Sequence, residues 1–328
     1  MSKTILITGV AGFFGHHLLE HILKNTDWNV VGLEGINYAG NLGRIKDISV
    51  FKDNEHRVRM LWHDLRSPFN EMVAHQIGDV DYLVHLAAET HVDRSLEDSR
   101  PFVMTNVLGT CHLLEYVKHN HPKLVKYNQF STDEVFGSAP FGVDYKEWDT
   151  HRPSNPYAAA KAGADDLAFS FAHSFKLPIF ISHTMNMFGE RQHPEKFMPM
   201  TIRKIALGEA VTIHGTEDNV SVRKWIHCRN AADAVLFLME HGEPEDKYNI
   251  VGQEMDVLSI ARFIADVMGK PLNYEYLDFH STRPGHDLRY SLDGSKMAEM
   301  GWKAPIGFLD SVEKVVKWSL DNKEWINL

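Results

Sequence analysis

The chain has 328 residues, 44% of them hydrophobic, and a formal net charge of −10. That length suits one large globular domain or two smaller ones, the negative balance argues against nucleic acid or an anionic membrane as partner, and no apolar run approaches the roughly 20 residues of a membrane span. Cys111 and Cys228 are too few for a disulfide framework or a zinc cluster. The twenty histidines contain no His-Glu-x-x-His pattern, so no metal site is expected. No basic segment leads from the start into a small-residue cleavage site, and a reduced, cytoplasmic setting is the expectation.

In chain order, strands are predicted at Thr4–Thr8, Asn29–Leu33, Val58–Trp62, Tyr82–Leu86, Val125–Phe130 and Ile179–Ser182. Helical patterns at Gly15–Asn25, Pro101–Asn120 and Pro156–Phe175 lie between them. Such alternation means βαβ units, right-handed crossovers and a parallel sheet, with ligands at the carboxyl ends of the strands. After Ser182 the rhythm is less regular. Helices are predicted at Glu195–Ala206, Asn230–His241, Val257–Met268, Asp293–Met300 and Phe308–Asn322, and strands near Val211–Ile213, Lys247–Ile250 and Asn273–Tyr276. The fold class is therefore α/β. A Rossmann-like, doubly wound parallel sheet is expected over residues 1–184, and a smaller α+β substrate-binding lobe over 185–328, with 225–250 a candidate to return to the first lobe.

Gly9-Val10-Ala11-Gly12-Phe13-Phe14-Gly15 follows the first strand and opens the first helix. Glycines there allow backbone amides to approach a pyrophosphate at the helix N-terminus, although the spacing alone also suits a plain glycine turn. Glu34 ends the second strand, where an acid meets the adenosine ribose and repels a 2′-phosphate. No Arg or Lys occurs between Glu34 and Asn41, so NAD is expected rather than NADP. Asp64 is placed to meet the adenine, with a solvated helix cap as the alternative. Leu86, Ala87 and Ala88 let small residues pass close to the cofactor. Phe13, Phe14, Leu65 and Thr105 complete the candidate cofactor-binding set, together with Tyr157 and Lys161.

Tyr157 and Lys161 stand at i and i+4 near a helix start capped by Asn155 and Pro156. An ammonium beside a phenol favours the phenolate, so Lys161 is expected to lower the Tyr157 pKa and let it take a hydroxyl proton as hydride leaves the same carbon. Thr132, Asp133 and Glu134 follow the fifth strand. Thr132 is placed to hydrogen-bond the reacting hydroxyl. Two adjacent carboxyls split their pKa values, one held as an acid and one ionised as a base, which is what elimination of water requires.

At these residues the chain resembles the extended short-chain dehydrogenase/reductases, and among them the dTDP-glucose 4,6-dehydratases. The resemblance runs through Thr8–Gly15, Tyr38-Ala39-Gly40-Asn41, His85–Ser95, Ser131–Gly137, Ser154–Ala162, Pro194-Glu195-Lys196, Arg283–Tyr290 and Gly301-Trp302, and so spans nearly the whole chain. It implies a redox-neutral cycle on a nucleotide-diphosphate sugar with bound NAD. Tyr157 would deprotonate the 4-hydroxyl, Glu134 would remove the C5 proton, and Asp133 would protonate the departing 6-hydroxyl. Lys161 would support Tyr157 and the nicotinamide ribose. The substrate side is carried over to Thr90, Asn186, Lys196, Phe197, Arg223, Asn249, Arg283 and His286. A homodimer is implied through a four-helix interface of the segments 101–120 and 156–175, whose apolar excess includes Leu113, Leu114, Tyr116, Val117, Leu167, Phe169 and Phe171.

The chain departs from that family's pattern at Met187, Lys224, Gly35 and His193, where an Asn, an Asp, a Lys and an aromatic are usual. These departures leave the nucleotide open between dTDP, UDP and others. Related nucleotide-sugar enzymes, a 4-epimerase or a uronate decarboxylase, are competing readings; a 4-epimerase has no use for Asp133 and Glu134. A non-catalytic NAD-sensing protein would have no use for Tyr157, Lys161, Asp133 and Glu134 together.

Overall fold

The computed structural model describes residues 2–37, 39–277 and 289–328. Its strands are β1 (Thr4–Thr8), β2 (Asn29–Glu34), β3 (Val58–Trp62), β4 (Tyr82–His85), β5 (Lys126–Thr132), β6 (Ile179–Thr184), β7 (Asn186–Phe188), β8 (Val211–Thr216), β9 (Asn219–Val220), β10 (Val222–His227), β11 (Lys247–Ile250), β12 (Gln253–Asp256) and β13 (Tyr274–Leu277). Seven form one sheet in the order β11-β6-β5-β4-β1-β2-β3, and every neighbouring pair is parallel. The order reverses between β1 and β4, which opens a crevice at their carboxyl ends. Helices cover both faces, so central strands such as Tyr82–His85 and Ile179–Thr184 are buried along their whole length.

Two apolar clusters fill the two faces of this sheet. One gathers Ile5, Ile7, Phe14, Leu18 and Val235, and the other Leu6, Leu83, Leu113, Tyr127 and Ile179. A third gathers Phe188, Ile202, Trp225, Ile264 and Val316. Two further three-stranded sheets have the orders β12-β10-β7 and β13-β8-β9. Lys247–Ile250 lies far along the chain but stands at the edge of the large sheet, beside β6.

The expected helix Pro156–Phe175 has those bounds. The Asn155 side chain accepts from the Ala158 amide and Pro156 occupies the first turn, satisfying the helix start as the sequence suggested. The expected helix Pro101–Asn120 differs. A π-helical segment, Val103–Leu108, interrupts it before the α-helix Gly109–Asn120. Asn106 in that segment donates to Glu89 O and accepts from Glu89 N, so the widened turn is tied to the loop after β4. Among the apolar residues proposed for a four-helix interface, Leu113, Leu114, Tyr116, Val117 and Phe171 are buried in the chain's own core. Their hydrophobicity is therefore explained without a partner; Val103 and Met104 are the large apolar residues exposed on the first of these segments.

The glycines after β1 are forced by close approach. Gly9 has φ +70°, and a Cβ there would lie 2.9 Å from the Ala87 backbone. A Cβ on Gly15 would fall 2.2 Å from Gly9 O and 2.8 Å from Val10 backbone atoms, none of which can step aside. Gly163, inside the helix Pro156–Phe175, is different, since a Cβ would meet only Val107 Cγ2 at 3.5 Å. Gly15→Ala is therefore expected to cost about 1–3 kcal/mol by overpacking. Gly163→Ala is expected to gain up to about 1 kcal/mol from helix propensity. Urea denaturation of the two variants checks both signs.

Candidate active site

The carboxyl ends of β1, β2, β4, β5 and β6 open into a cavity of about 390 Å³, closed on its far side by Asn186, Met187, His193, Lys196, Phe197 and Trp225. All the candidate cofactor residues line it: Gly9, Gly12, Phe13, Phe14, Gly15, Glu34, Asp64, Leu65, Leu86, Ala87, Ala88, Thr105, Tyr157 and Lys161. Thr132, Asp133 and Glu134 line it too, as do Thr90, Asn186, Lys196 and Phe197 on the substrate side.

Arg223 and Asn249 do not line it. Asn249 is fully buried and its Nδ2 donates to Tyr145 O and Asp293 O, so its amide holds two chain segments together. The Arg223 guanidinium lies 5.1 Å from the Tyr290 ring and donates to Val222 O, yet its charge still reaches Asp133. Arg283 and His286 lie outside the described residues. Of the departures, Gly35, Met187 and His193 line the cavity. Lys224 instead donates to Asp144 at 2.7 Å and to Leu292 O, and Asp144 also receives Arg289 and Ser291. Lys224 is thus a strut in a charge network rather than a cavity wall.

At the end of β1 a network invisible in the motifs sets the floor. Thr8 Oγ1 sits 2.7 Å from His85 Nδ1 and accepts from the Leu86 and Ala87 amides, while His85 Nε2 lies 3.0 Å from Thr110 Oγ1. Burial and the Lys161 charge push His85 down to about 3, so it is neutral and can serve as a hydrogen-bond bridge. Glu34 is similarly fixed. Its Oε2 accepts from Ala11 N at 2.8 Å, and its Oε1 accepts from Gly35 N and Ile36 N. Three of about four lone-pair sites are filled, leaving the carboxylate one more to offer the cavity.

Asp64 is held by Arg66, which reaches both of its oxygens, and this hydrogen bonding lowers its pKa. Its carboxylate therefore faces a partner within its own turn. Arg44, three residues beyond Asn41, lines the cavity near Glu34. Its guanidinium donates to Ala39 O, Ala11 O and Arg191 O, three carbonyls that fix it as a brace for the glycine loop.

The carboxyl pair sits in the turn after β5. Thr132 Oγ1 donates to Asp133 Oδ1 at 3.0 Å and accepts from Glu134 N, and Asn155 Nδ2 donates to Glu134 Oε2 at 3.1 Å. Asp133 is buried, with no hydrogen-bond partner for its Oδ2 among the described residues. Burial, then the neighbouring Glu134 charge, raises its pKa to about 7. One carboxyl of the pair is thereby kept substantially protonated at neutral pH, which suits a general acid.

The phenol–ammonium pair behaves differently from expectation. Burial first, then the Glu134 charge, pushes the Tyr157 hydroxyl well above its ordinary value. Lys161 is fully enclosed and donates to Phe130 O at 2.6 Å; burial lowers its pKa while Asp165 opposes that. In the free protein, desolvation outweighs the expected downward pull of Lys161 on Tyr157.

A family model described as GDP-mannose 4,6 dehydratase matches residues 6–315. The chain is 36% identical over 321 residues to Low-salt glycan biosynthesis protein Agl12 of Haloferax volcanii, covering 98% of this chain and 99% of that protein. It is 32% identical to a dTDP-glucose 4,6-dehydratase of Salmonella typhimurium, covering 98% and 94%. Among solved structures, DesIV, a dTDP-glucose 4,6-dehydratase from Streptomyces venezuelae crystallised with NAD and the ligand TYD bound, superimposes with a TM-score of 0.88 at 31% identity and covers 98% of each chain.

The raised Asp133 pKa has a stability consequence. Its folded value lies above the unfolded one, so its contribution is fully present below about pH 4 and is lost as pH rises through about 7. Asp133→Asn is therefore expected to melt at a higher temperature than the parent at pH 8 and at nearly the same temperature at pH 4, as calorimetry across that range would record.

Proposed function

The chain belongs to the GDP-mannose 4,6 dehydratase family, and on that footing we propose that it is an NAD-dependent nucleotide-sugar 4,6-dehydratase, a carbon–oxygen lyase that converts an NDP-glucose, with dTDP-glucose the first candidate, to the NDP-4-keto-6-deoxy sugar and water. The observation that carries the reading is Asp133, buried and poised near pH 7, one residue from Glu134 at the mouth of a cleft that also holds Tyr157 and Lys161. An epimerisation at C4 has no work for that pair.

NAD fits the residues present. The cradle where a Gly9 or Gly15 Cβ would collide leaves backbone close to a pyrophosphate, and Glu34 keeps acceptor capacity for a ribose hydroxyl. NAD held by these residues would supply the hydride chemistry, accepting hydride from C4 of the sugar and giving it back at C6. The chain's own groups move the protons. Tyr157 takes the proton of the 4-hydroxyl; because it is strongly protonated in the free protein, its ionisation is coupled to formation of the complex. The 4-ketone acidifies the C5 hydrogen, which Glu134, braced by Asn155, removes. Asp133 passes its proton to the 6-hydroxyl, which leaves as water, and C5 regains a proton, exchanged with solvent, as hydride reaches C6.

Two relatives at about one-third identity that are named for dTDP-glucose support dTDP as the first candidate nucleotide, and one named for glycan biosynthesis keeps other NDP-sugars in the reading. A panel of NDP-sugars, read by mass spectrometry, is expected to show loss of one water with all six sugar carbons kept. An isobaric product would indicate an epimerase, a five-carbon product a decarboxylase, and no turnover with NAD retained a sensor. Glu134→Gln is expected to lower kcat about 10²–10⁴-fold, and a variant at the parental rate would contradict the role given to Glu134. A homodimer through the segments 101–120 and 156–175 belongs to the same reading, with Val103 and Met104 as exposed apolar positions. Light scattering should then give twice the chain mass, and Met104→Glu should halve it.

A further inference from the structure

The helix Pro156–Phe175 carries Tyr157, Lys161 and Asp165 at successive four-residue steps, which places all three along one face. Asp165 is fully buried. Ser131 Oγ donates to its Oδ2 at 2.5 Å, and His183 Nε2 lies 3.5 Å from the same oxygen. Ser131 and His183 are direct partners across the β5–β6 ladder, so both side chains point from the sheet toward this helix. His151 comes near from the segment before the helix, and donor atoms of His151, Asp165 and His183 lie within 4.8 Å of one another.

Two histidines and a carboxylate at such spacing would suit a metal ion if they stood alone. They do not, because the ammoniums of Lys161 and Lys247 both interact with the Asp165 charge. A dication would meet two like charges in a buried site. A carboxylate enclosed among ammoniums acts instead as their counter-charge, since an enclosed ion persists only when paired.

We propose that Asp165 is a positioning residue for the reaction: anchored by Ser131 and His183, it keeps the Lys161 ammonium charged beneath Tyr157 and so sets the pH range over which Lys161 supports the chemistry. The inference rests on the reading above that Lys161 supports Tyr157. Burial pushes Lys161 toward its neutral form and Asp165 pulls it back. Burial also pushes Asp165 upward, but His183, Lys161 and the Ser131 hydroxyl together hold it below the usual carboxylate value.

The signs of two variants follow. Asp165→Asn keeps the shape and an acceptor for Ser131 but removes the charge, so Lys161 loses its proton at lower pH and the alkaline limb of kcat moves down by about one pH unit or more. Ser131→Ala removes a bond that favours the Asp165 carboxylate, so Asp165 is protonated at higher pH and the acid limb moves up. The other titratable groups facing this cluster are Tyr157 and Asp166 on the same helix, Asp133 and Glu134 after β5, His183 on β6, His85 on β4, Lys247 on β11, and His151. Neither variant replaces any of them, and because Asp165→Asn also removes a charge that acts on Tyr157, Lys247 and His151, the Lys161 resonance itself is the deciding readout.

The test follows the full-length protein with ¹³Cε-labelled lysine, assigning the Lys161 resonance by Lys161→Arg, alongside kcat against pH. The expected result is a Lys161 titration displaced downward in Asp165→Asn and restored in Asp165→Glu, with the alkaline limb of kcat moving in step. An unmoved Lys161 titration, with only a uniform fall in kcat, would overturn the inference and leave Asp165 a packing residue. Should Asp165→Asn fail to fold, Ser131→Ala decides, and an unmoved acid limb is the overturning outcome. The resonance reads the Asp165–Lys161 coupling even if no nucleotide sugar is turned over, so failure of the proposed function and failure of this inference are distinguishable.

Discussion

Desolvation of the turn after β5 is the constraint on which the rest of the molecule depends. A parallel sheet covered on both faces drives Tyr127–Thr132 into the interior, and the chain emerges carrying a largely buried carboxyl at the cavity wall. Asp133 is therefore held near pH 7, and Glu134 beside it adds to the shift. The same enclosure raises Tyr157 and lowers Lys161, so three groups of the cleft have their proton affinities set by one physical cause. Thr132, Asn155 and Ser131 supply the hydrogen bonds that make such burial tolerable.

A second constraint is close approach. Gly9 touches the Ala87 backbone, and the Leu86 and Ala87 amides bond to Thr8, so the loops after β1 and β4 are locked to each other before any ligand arrives. Arg44 braces the same loop from behind through three carbonyls. The cradle is thus preformed, while the π-helical segment Val103–Leu108 brings Thr105 to its wall.

Much of this was legible in the chain. Periodic, strongly apolar segments such as Thr4–Thr8, Pro156–Phe175 and Val257–Met268 appear with the expected bounds, because pattern, capping and burial agree there. Gln253–Asp256 and Asn186–Phe188 escaped notice, being short and polar or only part-buried, held as strands by pairing with β10 rather than by their own composition. At the site, local motifs found the cleft residues of the first lobe. Asn249, carried over from the resemblance, lies off the cavity wall with its amide on the backbone of two distant segments, an arrangement no local pattern reveals. The i,i+4 rule placed Lys161 beside Tyr157 correctly but not its effect, because the burial that outweighs it is a property of the whole sheet.

Turnover in heavy water reads the chemistry proposed for Glu134 and Asp133 at C5 and C6. One solvent deuterium is expected at C5 of a six-carbon 4-keto-6-deoxy product, with none at C4 of the recovered substrate. A product inverted at C4 and carrying no deuterium at C5 would contradict it.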